Sequence, residues 1–185
     1  LEAAIAQSTL DVTVRWLPFR MRPDAPFPDG VDSPPRMYLD PSYVARVQEA
    51  GTAVGLEYTH LCRRVPNTLL SHTLISWAGE ASAAKQSAVV EIVFRQYHTE
   101  GRYPDEASLV SAAVEAGLDG NAARAALTST ERQEATAAEV QRNARVGGVP
   151  HMVIISGQGG SGQASMHGAQ PASVILQALA QAAAA

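Results

Sequence analysis

The chain is poor in residues that do covalent chemistry, and those it has are scattered. Cys62 is the one cysteine among 185 residues. It can close no internal disulfide and supplies no paired-cysteine zinc site, and alone it reads as a small hydrophobe without a catalytic role. The five histidines, His60, His72, His98, His151 and His167, show no metal-site spacing, so no metal is expected. His60, His98 and His167 read as solvated surface. The glycines within residues 157–162 lack the Lys-Ser or Lys-Thr ending and the following helix of a phosphate loop, and no nucleophile-elbow pattern marks a serine. Special residue types concentrate in residues 146–156, VGGVPHMVIIS. Gly147 and Gly148 permit backbone angles that other residues resist, and Pro150 fixes φ and lacks an N–H. Met152, Val153, Ile154 and Ile155 then read as a buried strand. A turn therefore delivers a proline to the mouth of a strand, with His151 directly after it. Locally, trans is the default for the Val149–Pro150 bond, since cis accounts for only about 5–6% of X-Pro bonds in folded proteins.

The composition narrows the possible partners. The net charge is −4, 17% of residues are charged, and no basic run stands out, which argues against a nucleic-acid surface. No apolar run approaches the roughly 20 residues of a spanning helix, so no membrane partner is expected. Nothing in the sequence specifies an oligomer. No signal peptide is visible, which makes the cytoplasm the default compartment. Residues 1–8 read as the second half of a helix, with Leu1, Ala4, Ile5 and Ser8 at helical spacing and no cap ahead of them. The chain is accordingly read as a fragment or a processed product.

The elements that must position residues 146–156 follow in order. Residues 11–19 alternate, with Val12, Val14 and Trp16 on one face, and predict a strand ending at Pro18. Prolines at 18, 23, 26, 28, 34, 35 and 41 leave residues 21–41 as a connecting loop. The period is helical from Asp40 onward. Asp40-Pro41 starts a helix with Val44, Val47, Ala50 and Val54 on one face, and Gly55 stops it. Asn67-Thr68 opens the next, with Leu70, Leu74, Trp77 and Ala78 inward. A third carries Val90, Val93, Phe94 and Tyr97 to Gly101, and a fourth runs from Pro104 to Gly117. A short helix spans 121–127, and Thr130 with Gln133 is spaced as a capping box for an alanine-rich helix to Arg145. A strand, a glycine-rich hairpin loop and a second strand at 163–167 follow. A last helix turns Val174, Ile175, Ala178 and Leu179 inward.

Five stretches in this order, RWLPFRMRPD, PNTLLSHTLISWA, FRQYHTEGRYPDEASLVSAAVEAGLD, GGVPHMVI and SMHGAQP, resemble the DsbA-type thiol-disulfide oxidoreductases, specifically their FrnE-like branch. The resemblance implies an α/β, thioredoxin-like sheet with a large all-helical insertion. Residues 1–39 and 146–185 would be the two parts of the thioredoxin-like domain and 40–145 the insertion. It also implies a cis Val149–Pro150 bond.

The family's nucleophile is the first cysteine of a CxxC at the start of the first helix, where the helix dipole and free N–H groups favour the thiolate. No CxxC is present, so the resemblance places that motif, with the first strand, upstream of Leu1. No catalytic residue is then expected within the chain. Val149 would present its backbone to an extended substrate, with Pro150 beside the sulfurs. His72 matches a histidine that the family often carries near the cleft, and His151 follows the proline, so both join Val149 and Pro150 as substrate-binding candidates. The implied partner is a protein or small-molecule thiol or disulfide, with no bound cofactor. Two alternatives stay open. One is a glutathione-dependent isomerase or transferase, similar to hydroxychromene-carboxylate isomerases or kappa-class transferases, with glutathione as substrate. The other is a redox-inactive module that binds extended peptides.

Overall fold

The computed structural model describes residues 1–31, 40–59, 62–157 and 162–184. The readings of His60, of Pro34 and Pro35, and of Gly159 and Gly160 in the hairpin loop lie outside them. In chain order the described elements are helix α1 (Glu2–Gln7), α2 (Pro41–Thr52), α3 (Leu69–Ala81), α4 (Ala83–Phe94), α5 (Glu106–Glu115), α6 (Gly120–Thr128) and α7 (Thr130–Asn143). They continue with strands β1 (His151–Ile155) and β2 (Gln163–His167) and helix α8 (Ala172–Ala184). Helix α4 runs on as a π-helical turn over Arg95–Thr99. Contacts divide the chain into two compact units, one of residues 1–14 with 144–185 and one of residues 15–143. Residues 15–31, which the sequence reading groups with the first part of the thioredoxin-like domain, fall in the helical unit by this division.

The helices of the 15–143 unit start where short acidic or hydroxyl side chains can accept from free N–H groups. Asp40 accepts from the Ser42 N–H at 2.9 Å, Asp105 from Ser108 at 2.8 Å, Asp119 from Ala122 at 2.7 Å and Ser82 from Lys85 at 3.1 Å. Each such cap is worth about 1 kcal/mol. Helix α5 stops at Gly117, whose φ of 74° suits a residue without Cβ. The Lys85 ammonium closes that end by donating to the Ala116 carbonyl at 2.6 Å. The capping box expected of Thr130 and Gln133 does not form. Ser129 stands one residue earlier and its Oγ accepts from the Arg132 N–H at 3.3 Å, while the Gln133 amide turns back to the Leu127 carbonyl at 2.6 Å.

Helix α3 is the centre of this unit and packs on α4, α5, α6 and α7. Its Leu74, Ile75 and Ala78 meet Val89, Val90 and Val93 of α4, Leu109, Ala112 and Ala113 of α5, and Ala123 and Leu127 of α6. The many alanines let helix axes approach closely, so a core of modest side chains is still dense. Helix α2 departs from expectation. Val44 and Val47 are only half-buried, Ala50 and Val54 are exposed, and Gly51 alone is buried, because a Cβ there would meet the Tyr58 ring at 2.5 Å.

Residues 11–19 are not a strand. The alternation itself holds, with residues 12, 14 and 16 half-buried and 11, 13, 15 and 17 exposed. What is missing is a ladder, because side chains supply the hydrogen bonds of Trp16, Pro18 and Phe19. The Gln86 carboxamide accepts from the Trp16 N–H at 3.0 Å and donates to the Trp16 carbonyl at 3.1 Å, as a neighbouring strand would. Asn143 Nδ2 donates to the Pro18 carbonyl at 2.9 Å. The Trp16 indole N–H donates to Ser87 Oγ at 3.0 Å, and its ring packs against the helical core.

In the unit of residues 1–14 and 144–185, β1 and β2 form a two-stranded antiparallel sheet, pairing His151 with His167, Val153 with Ser165 and Ile155 with Gln163. Met152, Ile154 and Met166 on one face pack against Ala4 of α1 and Ile175 and Leu179 of α8, with Val12 at the margin. Gly162 holds the far end of the hairpin against α8, since a Cβ there would meet the Ala182 carbonyl oxygen. The reading of β1 as a buried strand is corrected. Val153 is 48% and Ile155 70% exposed, because only one face of the hairpin is covered. Val174 likewise points outward from α8 while Ile175, Ala178 and Leu179 are buried.

Candidate functional site

Val149, Pro150 and His151 lie in the unit that holds the sheet, and His72 lies in the helical unit. After α7 the chain makes a 3-10 turn over Ala144–Val146 and reverses at Gly147, whose φ is 75°. No atom lies near a Cβ built on Gly147 or Gly148, so these glycines serve backbone shape and not close packing. The Val149–Pro150 peptide is cis. Val149 is 46% exposed, and among the described residues its main-chain groups form no hydrogen bond. The Pro150 carbonyl accepts from the Gly168 N–H at 3.0 Å, which starts the pairing with β2. On its other side β1 has no strand neighbour among the described residues. The Val149 main chain can therefore receive an extended chain through main-chain hydrogen bonds.

His151 does not project alone. Its Nδ1 lies 3.4 Å from Nδ1 of His167, with ring centroids 4.5 Å apart, and its Nε2 lies 3.4 Å from Ser165 Oγ. The sequence reading took His167 for solvated surface. His167 is exposed, but the hairpin register sets it directly against His151. That register depends on the turn between the strands, which leaves no trace in the spacing of two histidines.

His72 is fixed by the segment that replaces the expected strand. Its Nε2 is 2.9 Å from the Phe19 carbonyl oxygen, so Nε2 carries the proton and donates, leaving Nδ1 as acceptor. Burial pushes its pKa from 6.5 down to about 4, against the opposing effect of the Phe19 carbonyl and with a further lowering from the Arg20 charge. His72 is therefore neutral at pH 7. Arg20 stands beside it, its pKa also lowered by burial, and donates from one terminal nitrogen to the Arg22 and Pro23 carbonyls at 3.4 and 3.2 Å. Asn67, read as a helix cap, has that role and a second one. Its Oδ1 accepts from the Leu69 N–H at 3.1 Å, and its Nδ2 donates to the Ala25 carbonyl at 2.6 Å, tying the proline-rich loop to the start of α3.

Cys62 is half-buried, with Sγ 3.7 Å from the Arg64 carbonyl oxygen. Among the described residues there is no cluster of three or more His, Cys, Asp or Glu side chains that could hold a metal. None of the described helices is long and apolar enough to cross a membrane.

Residues 1–180 match the family described as DSBA-like thioredoxin domain. Among solved structures the chain is similar to that of a "probable DsbA oxidoreductase" from Streptomyces coelicolor, with a TM-score of 0.61 and 29% sequence identity. The match covers 75% of this chain and 58% of that one, so the present chain spans little more than half of its relative's length. No curated protein matches.

Proposed function

This chain belongs to the family of DsbA-like thioredoxin domains and has their thioredoxin-like fold with a helical insertion, and on that premise we propose that it is the substrate-binding body of a thiol-disulfide oxidoreductase of the FrnE-like branch. Membership over residues 1–180 carries the reading. The redox pair is a CxxC supplied from outside these 185 residues, since Cys62 is the sole cysteine within them. In the reaction one cysteine thiolate attacks a sulfur of the substrate disulfide and expels the other sulfur as a thiolate. The second cysteine then attacks the mixed disulfide, which releases the reduced substrate and leaves the pair oxidised. Run in reverse, the same steps oxidise a dithiol. The exposed Val149, through its backbone, holds the extended substrate, and Pro150, without an N–H, leaves the approach to the sulfurs open. His72 and His151 are the side chains we assign to substrate contact in their respective units.

The test is the intact mass and N-terminal sequence of the natural protein before and after alkylation under reducing conditions, followed by insulin reduction. Two alkylatable cysteines beyond Cys62, three positions apart as in CxxC, with turnover of insulin, support the proposal. A serine in place of the first cysteine moves the reading to glutathione chemistry. The single cysteine favours one second reading, a redox-inactive module that holds an extended peptide at Val149. It requires a natural mass equal to that of these 185 residues, and peptide binding indifferent to reductant.

A further inference from the structure

We propose that His151 and His167 form a surface site for a divalent transition-metal ion of the zinc, nickel and copper class. The Gly168 N–H bonds to the Pro150 carbonyl, and the Ser156 N–H to the Gly162 carbonyl. These two bonds flank the ladder and make His151–His167 a non-hydrogen-bonded pair, the register in which facing side chains come closest. The two Nδ1 atoms are 3.4 Å apart. That is at the long end for a hydrogen bond. It is the separation of two ligands on one tetrahedral ion, which with metal–nitrogen bonds of about 2.0–2.1 Å works out at roughly 3.3–3.4 Å.

An outer-shell acceptor stands beside the pair, and at 3.4 Å it has a few tenths of an ångström to close on metal binding. A ligating imidazole donates its other ring N–H to a fixed acceptor, which sets the tautomer that frees the ligating nitrogen. His151 Nε2 faces Ser165 Oγ at 3.4 Å, so with Nδ1 on the ion its Nε2–H points at that hydroxyl. Both ligands sit on paired strands and not on loops, and His167 is held further by the Gln170 amide, which donates to its carbonyl at 2.6 Å. The remaining positions on the ion are open to water or to a donor from a bound molecule. Imidazole nitrogens select zinc, nickel or copper over magnesium or calcium, which prefer oxygen.

The test is zinc competition against a chromogenic chelator, with the full chain carrying Cys62→Ser to remove thiol binding. One zinc per chain is expected. His151→Gln and His167→Gln should each weaken it by at least about tenfold, and Ser165→Ala by less, since it touches the ion only through His151. His98→Gln should leave it unchanged. Nitrogen NMR of the unsubstituted histidines gives a readout independent of any variant, with the Nδ1 resonances of both His151 and His167 moving on zinc addition. Absence of binding at millimolar zinc, or binding that survives either histidine substitution, overturns the proposal.

Discussion

The Gln86 side chain substitutes for a strand neighbour, and this can be tested by removing it. In Gln86→Ala the Trp16 N–H and C=O lose their partners, at 3.0 and 3.1 Å, and the Ile75 carbonyl loses a second donor at 3.3 Å. An unsatisfied buried main-chain group costs about 1–3 kcal/mol. Trp16 is half-buried, which places each of its two groups toward the lower end, and the Ile75 carbonyl keeps its helical bond. The sum is about 2–4 kcal/mol, or a fall in Tm of roughly 4–16 °C for a chain of this size. Urea unfolding at pH 7 measures it directly. A second substitution isolates the amide from the lost volume. A Cβ on Gly79 would meet Gln86 Nε2 at 2.9 Å, so Gly79→Ala should displace the carboxamide and destabilise the parent chain. In the Gln86→Ala background the clash is gone, and the same change should be neutral or stabilising by up to about 1 kcal/mol, the ordinary gain of alanine over glycine within a helix. Gln86→Ala within about 0.5 kcal/mol of the parent, or a Gly79→Ala effect of the same sign in both backgrounds, would refute the reasoning.

His72 predicts an acid sensitivity. Its folded pKa, about 4, lies below the ordinary 6.5, so the unfolded chain binds a proton over a range where the folded chain does not. The stability tied to this group is full above pH 6.5 and falls by about 3 kcal/mol as the pH drops toward 4. Chemical denaturation across that range should show the loss, and His72→Gln should flatten it. Asn67→Ala removes the bond to Ala25 and the bond from Leu69, and should cost about 2–3 kcal/mol while raising hydrogen exchange in residues 23–31. Lys85→Met leaves the Ala116 carbonyl without its ammonium donor, and a loss of about 1 kcal/mol is expected by calorimetry.

Elements governed by near neighbours in the chain were legible in the sequence. Asp40-Pro41 announced α2, Pro104 announced α5, Gly117 announced the end of α5, and the glycine-rich loop between two extended runs announced the hairpin. Five stretches in register were enough to indicate the family. Residues 11–19 misled because alternation reports which side of an extended chain is covered, and nothing about what bonds its backbone. Gln86 and Asn143, which do that bonding, lie 70 and 125 residues away from their partners. Val153 and Ile155 misled for a related reason, since a run of apolar residues cannot tell a strand covered on one face from one covered on both. His167 gained meaning only from its register partner 16 residues earlier.

In the segment from Trp16 to Phe19 the carbonyls of Trp16, Pro18 and Phe19 are held by Gln86, Asn143 and His72, on helices α4, α7 and α3. A strand neighbour would have supplied main-chain groups, which every amino acid carries, and would have tolerated almost any substitution in itself. Here the burden of identity is inverted. Leu17 and Phe19 can exchange for other residues without touching these bonds, whereas each of the three distant donors needs one particular head group at one particular height on its helix. In a set of relatives, invariance should therefore gather at positions 72, 86 and 143, and the stretch that looks like a strand should drift. When the stretch is moved to another scaffold, those three positions must travel with it.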